Sequence, residues 1–276
     1  MLNDITFGQF YPARSVVHRL DPRVKIILTV AFIVYTFVSK NAISLIITAL
    51  FLGIFIGLTN IPIKMFLKTL KPVAPIIILT SILNALYVSK GTVLLHFWKI
   101  TITSGGVTTA IYMSARICIL IMCSSILTYT TSPTELTDAI ERLFSPLKCI
   151  KIDVHSLAMM MTIALRFIPT LIEETDKIMS AQKSRGADLE SGGLTKRVKA
   201  LIPILIPLLI SSFRRASELA DAMECRCYHG GEGRTRMKQM KTAYRDYVSI
   251  IVFVLLLGII IFSNKFCEGI IYSLLV

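Results

Sequence analysis

Apolar positions in this chain run in long unbroken blocks. From Ile26 to Ile63 the only charged residue is Lys40. A single helix of that length would span roughly 57 Å, nearly twice the hydrocarbon core of a bilayer. The block therefore predicts two membrane-spanning helices that turn at Ser39-Lys40-Asn41. Further blocks run from Pro72 to Ser89, with Pro72 and Pro75 near the start, from Ile100 to Thr134, interrupted only by Arg116, and from Val248 to Asn264. These predict three more spans. Two shorter runs differ. Val154 to Leu165 stops at Arg166, and Ala200 to Phe213 contains Pro203 and Pro207 and meets Arg214-Arg215. Their lengths predict helices on the membrane surface or packed against the spans.

Composition agrees. Hydrophobic residues make up 54% of the 276 and charged residues 17%, against about 25% charge in soluble domains. Disorder and a coiled coil are excluded. Cys118 and Cys123 lie in an apolar block, and Cys149, Cys225, Cys227 and Cys267 are scattered. That is no disulfide framework, and it fits a reducing compartment or the membrane interior. Met1 to Tyr11 is mixed and carries Asp4, which does not read as a cleavable signal peptide.

The net charge of +13 bears on topology more than on nucleic acid. Arg14, Arg19, Arg23 and Lys25 precede the first span, and Lys64, Lys68 and Lys71 lie between the second and third. Lys40, Lys90 and Lys99 face them. Positive residues favour the inside, so the N-terminus is expected to be cytoplasmic and the C-terminus outside. Arg23 and Lys25 are expected to snorkel, His96 and Trp98 to mark the outer interface, and Ile270 to Val276 to rest on the bilayer. Arg116 needs a buried partner or a route to the interface.

Residues 131–246 hold 18 of the 30 basic and 14 of the 17 acidic residues. The expected division is a four-span membrane domain at 1–130, a cytoplasmic helical region at 131–246, and a last span with its tail at 247–276. Ser132-Pro133-Thr134-Glu135 reads as a helix start, and Pro146 as its end. A second helix is expected from Val154 to Arg185, with Pro169 as a possible kink and Gly186 as its cap. A break follows at Ser191-Gly192-Gly193. A third is expected from Leu194 to Arg226, ending before Gly230-Gly231.

Both long helices thus begin apolar, become charged, and finish on an arginine. A cation at a helix C-terminus gains about 0.3–1 kcal/mol from the terminal carbonyls, which alone explains one such residue. Two at corresponding helix ends favour docking, because a guanidinium fork binds carboxylates or carbonyls in a partner's groove. Cys225, Cys227 and His229 do not have a usual zinc spacing, so no metal is expected. Gly230-Gly231-Glu232-Gly233-Arg234 lacks the Gly-Lys-Ser/Thr of a phosphate-binding loop. No catalytic constellation stands out, which points away from an enzyme and from any cofactor. Met159, Met160 and Met161 are either core or an adaptable docking surface.

Several segments together carry a family resemblance. Ser15-Val16-Val17-His18-Arg19-Leu20-Asp21-Pro22-Arg23, Leu165-Arg166-Phe167-Ile168-Pro169 with Glu173-Glu174, Ala181-Gln182-Lys183-Ser184-Arg185-Gly186, and Ala222-Met223-Glu224-Cys225-Arg226-Cys227-Tyr228-His229-Gly230-Gly231 with Gly233-Arg234-Thr235 are similar to the transmembrane scaffold, or T component, of energy-coupling factor (ECF) transporters. The resemblance implies an all-α, L-shaped membrane protein of about five transmembrane helices and three cytoplasmic coupling helices, in the cell membrane of a prokaryote. It implies a non-enzymatic coupling subunit of an ABC-type importer for vitamins or transition metals. Its partners would be two ABC-type ATPase subunits, a substrate-binding S component and the lipid bilayer, with no nucleic acid. The small-Arg-small motifs Ser184-Arg185-Gly186 and Cys225-Arg226-Cys227 would enter the two ATPases. Cys227 stands where the family has a glycine. Met159, Met160 and Met161 would suit a surface that accepts several S components. The alternative is a secondary transporter carrying substrate through its own spans. Against it stand the near-absence of charge there and the lack of a symmetric broken-helix pair.

Overall fold

The computed structural model describes residues 10–39, 41–88, 92–97, 100–146, 153–187, 193–230, 240 and 242–275. The chain divides into two compact units, residues 9–132 with 240–276, and residues 1–8 with 133–239. Lys40, Ser89, Lys90, Trp98, Lys99, Cys149, Ser191, Gly192, Gly231 to Thr235 and Val276 lie outside the described residues, and so do the side chains of His96 and Cys267.

The first unit contains α1 (Pro22–Val38), α2 (Ala42–Leu58), α3 (Ile63–Leu70), α4 (Ala74–Tyr87), a short antiparallel hairpin of β1 (Val93–Phe97) and β2 (Ile100–Thr103), α5 (Ser104–Thr130) and α9 (Tyr244–Leu275). The protein is a helical membrane protein. α5 and Tyr244–Lys265 of α9 are long and apolar enough to cross a bilayer, and α3 with α4 qualifies as one span bent by 60°.

Four expectations change here. The third block, Pro72 to Ser89, forms only the 14-residue α4, which qualifies as a span only together with α3 before it. The fourth begins as strand, since Ile100-Thr101-Ile102-Thr103 favours a pleated ribbon and pairs with β1. The tail from Ile270 to Leu275 continues α9 as one helix of 32 residues. Finally, Lys25 does not snorkel: it is 5% exposed.

What Lys25 does instead organises the unit. Its ammonium donates to the carbonyls of Thr130, at 2.8 Å, and His18, at 3.1 Å. Thr130 is the last residue of α5, whose terminal carbonyls lack helical donors. At the other end of α1, Arg116 of α5 donates to the Ser39 carbonyl at 2.7 Å and to the Tyr112 hydroxyl at 2.9 Å. Tyr112 also donates to Ser39, and Asn264 of α9 donates to the Val38 carbonyl at 2.9 Å. α1 and α5 run antiparallel, so each helix supplies the cation that ends the other. The Arg116 guanidinium also sits 4.7 Å from the Tyr112 ring centre. Arg116 thus has the buried partners that its place in a span requires.

Apolar packing fills the space between these ends. Phe32, Phe51, Phe55 and Phe253 join α1, α2 and α9, with Phe51 and Phe253 5.1 Å apart edge to face. Phe66 of α3, 1% exposed, packs edge-on against Tyr129. α4 lies close on α5 at Gly106, where a Cβ would come within 2.7 Å of the Ala85 carbonyl. Thr36, Ser39, Thr48 and Thr130 donate to carbonyls three or four residues back, which satisfies their hydroxyls without water.

The segment before α1 is folded onto the same base. Asp21 caps α1 by accepting from the Arg23 amide and holds the Arg23 side chain at 2.8 Å. Asp246, 2% exposed, accepts from the Asp21 and Ala243 amides. His18 donates from Nε2 to the Tyr11 carbonyl, at 3.0 Å, so its Nδ1 accepts from Ser15, at 2.7 Å.

The second unit holds α6 (Pro133–Leu143), α7 (Val154–Ser184) and α8 (Leu194–Glu224). α7 and α8 are continuous through Pro169, Pro203 and Pro207. Pro207 has no amide to offer the Pro203 carbonyl, and the Gln182 side chain approaches that oxygen at 3.5 Å. The expectation that these two apolar runs are too short to cross rests on stopping them at the first arginine. Each continues into a helix of 31 residues, and α7 and Val198–Glu224 are long and apolar enough to cross by length and composition.

Two predictions follow from the first unit. Lys25→Met strands the Thr130 and His18 carbonyls, at about 1–3 kcal/mol for each unpaired group, and Arg116→Leu leaves the Ser39 carbonyl with Tyr112 as its one side-chain donor, a smaller loss. Thermal unfolding in detergent should show this loss, whereas Ile27→Ala on the exposed face should be near neutral. Unchanged stability in both cation variants would contradict the reciprocal capping.

The other concerns pH. Burial holds the His18 imidazole below its ordinary value of 6.5; the Tyr11 carbonyl opposes this and the Lys25 charge adds to it. The unfolded chain therefore takes the proton first as pH falls through 6.5, so stability is complete above that value and declines below it. The melting temperature should fall between pH 7.5 and 5.5, and His18→Gln should flatten the decline. An identical slope in the variant would exclude His18 as its source.

Candidate functional site

α7 and α8 pass each other in opposite senses. Gln182 meets Pro203, while Glu174 accepts from Ser211 and pairs with Arg215 at 2.7 Å. Moving back along α7 therefore means moving forward along α8. Glu174 and Arg215 have no local spacing that could mark them in the sequence. Only the antiparallel crossing brings them together.

Both helices end in the same hydrogen-bonded turn. After α7, the Gly186 amide donates to the Lys183 carbonyl and the Ala187 amide to the Gln182 carbonyl, both at 3.0 Å. After α8, the Cys227 amide donates to Glu224 at 2.8 Å and the Tyr228 amide to Met223 at 3.0 Å. These are the paired bonds of a Schellman motif, which needs a left-handed residue just past the cap. Gly186 has φ +82° and Cys227 φ +54°. Arg185 and Arg226 thus occupy one equivalent position, immediately before the left-handed residue. Cys227 takes the glycine conformation despite its Cβ.

Arg185, Gly186, Cys225, Arg226 and Cys227 are exposed, as is Ser184. Among the described residues neither arginine is hydrogen-bonded or paired through its side chain. Arg185 lies 11 residues beyond Glu174, and Arg226 lies 11 beyond Arg215 in the opposite direction, roughly 16 Å each. The two arginines therefore stand at opposite ends of the helix pair, roughly 30 Å apart. Cys225 and Cys227 are free thiols, and no metal-holding cluster of His, Cys, Asp or Glu occurs among the described residues.

Met160 and Met161 are 56% and 48% exposed, and Met159 is half-buried. The first two are not core within this chain. α8 exposes an apolar stripe through Val198, Leu201, Leu205, Leu209 and Phe213. The sequence periodicity carries that stripe, but its two prolines and short apolar length obscure it.

Comparison with known proteins gives this geometry its context. Residues 13–237 match the family model described as cobalt transport protein, CbiQ. The chain is 50% identical over 267 residues to the energy-coupling factor transporter transmembrane protein EcfT of Ruminiclostridium cellulolyticum, covering 96% of this chain and 100% of that one. It is 48% identical to the EcfT of Acidaminococcus fermentans, over 95% of this chain and 97% of that one. With the Bacillus subtilis EcfT it shares 42% identity, over 95% and 98%. The chain belongs to this family of transmembrane components of energy-coupling factor transporters.

The two helix ends predict opposite responses to substitution. A non-glycine residue in the left-handed region costs about 1–2 kcal/mol. Cys227→Gly should therefore raise the stability of the full chain by roughly 1 kcal/mol. Gly186→Ala should lower it by a similar amount, although its Cβ would meet open space. Thermal unfolding in detergent reads both, and a stabilising Gly186→Ala would contradict the assigned turn.

Proposed function

We propose that this chain is the non-enzymatic coupling subunit of an ECF importer, with ATP hydrolysis carried out by two partner ATPases of the ABC type. In this reading residues 131–246 are cytoplasmic, as is the N-terminus. Arg185 docks on one ATPase and Arg226 on the other. A separate S component binds the vitamin or transition metal and packs against apolar surface of this chain, including Met159, Met160 and Met161.

The observation that carries the reading is the placement of the arginines. Two exposed guanidiniums occupy the same position in the same turn, at opposite ends of one antiparallel helix pair. Such an arrangement suits two equivalent sockets on two copies or homologues of one partner. Each fork can take a carboxylate or a pair of carbonyls. When the ATPases close on ATP their sockets approach each other, and the pair of helices must pivot about its crossing. The apolar stripe of α8 would transmit that pivot to the S component. Conduction of substrate through the spans is supported less well, because Lys25, buried, and Arg116, half-buried, are both bound to helix ends.

Truncating a charge buried at an interface costs about 2–5 kcal/mol. Arg185→Ala and Arg226→Ala should each weaken ATPase capture or uncouple hydrolysis from uptake, and the double variant should abolish transport. Lysine should rescue only in part. Full uptake with wild-type ATPase binding in the double variant would overturn the coupling assignment.

A further inference from the structure

At one end of the helical unit that holds α1, α2 and α9, three arginines line one open hollow of about 430 Å³: Arg14 and Arg19 from the segment before α1, and Arg245 from the first turn of α9. No carboxylate lines it. The nearby carboxylates of Asp21 and Asp246 are buried and hold Arg23 and backbone amides. Among the described residues, none of the three guanidiniums pairs with an acid. Like charges converging on a hollow favour an anion, and a guanidinium fork matches phosphate oxygens.

The position of the hollow fixes the kind of anion. Arg245 stands three residues before the apolar run that starts at Val248, and Leu58 is the last residue of α2. The hollow therefore sits at the plane where spans leave the hydrocarbon. Its wall includes Val16 and Leu58, 54% and 48% exposed, and Val248 and Val252, one and two turns along α9 on the face of Arg245 and both 39% exposed, continue the apolar surface. Asn60, whose φ of +55° turns the chain after α2, adds an amide to the same wall. Phosphate-binding cations beside exposed apolar surface at the interface match a lipid headgroup with its acyl chains.

We propose that Arg14, Arg19 and Arg245 form a binding site for the headgroup phosphate of an anionic phospholipid. The lipid bridges the pre-α1 segment and α9, and so holds the base of the unit together.

The test uses the full chain in a nonionic detergent, titrated with phosphatidylglycerol in mixed micelles while thermal unfolding and native mass are followed. Phosphatidylglycerol should raise the melting temperature and remain bound in the mass spectrum, and phosphatidylcholine should do neither. A basic residue near a headgroup contributes roughly fivefold in affinity, so changing Arg14, Arg19 and Arg245 to Gln together should weaken binding about a hundredfold. The same change at Lys64, Lys68 and Lys71 should leave binding within a few-fold of wild type. Equal loss in both triple variants would reduce the effect to general surface charge and overturn the site. Inorganic phosphate that stabilises the chain as well as phosphatidylglycerol would overturn the lipid assignment. If the triple Gln variant does not fold, the triple Lys variant decides. It keeps the charge without the fork and should bind several-fold more weakly, and wild-type affinity there would overturn the proposal.

Discussion

A helix leaves its last carbonyls without donors, and in a bilayer no water can replace them. Much of this structure answers that constraint. The C-terminal end of α5 is closed by Lys25 from α1, and that of α1 by Arg116 and Tyr112 from α5 with Asn264 from α9. Because each of the two helices needs a cation from the other, their antiparallel register is fixed at both ends. The aromatic cluster around Phe253 then packs within a frame already set by polar contacts. At the ends of α7 and α8 the chain meets the same need with its own amides, by turning back through Gly186 and Cys227. That solution leaves the arginine at each cap free of structural duty, exposed, and available to a partner.

The constraint also separates the roles of the basic residues. Lys25 and Arg116 are committed to helix ends inside the protein. Arg215 is committed to Glu174 and holds α7 to α8. Arg185 and Arg226 have no such duty among the described residues, and neither do Arg14, Arg19 and Arg245. The excess positive charge is thus not uniform decoration. Part of it is structural, and five further arginines stand at two helix ends and in one interfacial hollow.

Much of this was legible in the sequence, for identifiable reasons. Unbroken apolar blocks reveal α1, α2, α5 and α9, because a span must satisfy its backbone locally and so leaves a local signature. The ends of α7 and α8 were readable from Arg185-Gly186 and from the Arg226 segment for the same reason. Contacts between distant residues were not readable. Nothing near Lys25 or Arg116 says that each ends the other's helix, so Lys25 reads as a snorkelling residue until the fold places it. The 60° bend between α3 and α4 falls at Lys71-Pro72-Val73, before the third apolar block, and the hairpin pairs the start of the fourth block with residues ahead of it, so neither changes the apolar pattern. The apolar runs at the start of α7 and α8 read as too short to cross because hydropathy changes at their first arginine, whereas the helices themselves continue past it, as expected, to Ser184 and Glu224.

The central claim is that one antiparallel helix pair presents equivalent arginines to two separate ATPase subunits. A photocrosslinking residue placed at position 185 or at position 226 in the native complex tests it most directly. The account predicts that each position crosslinks to an ATPase subunit, and that a chain carrying both captures two such subunits at once. Crosslinks from both positions to lipid or to the substrate-binding component, with no ATPase captured, would contradict it.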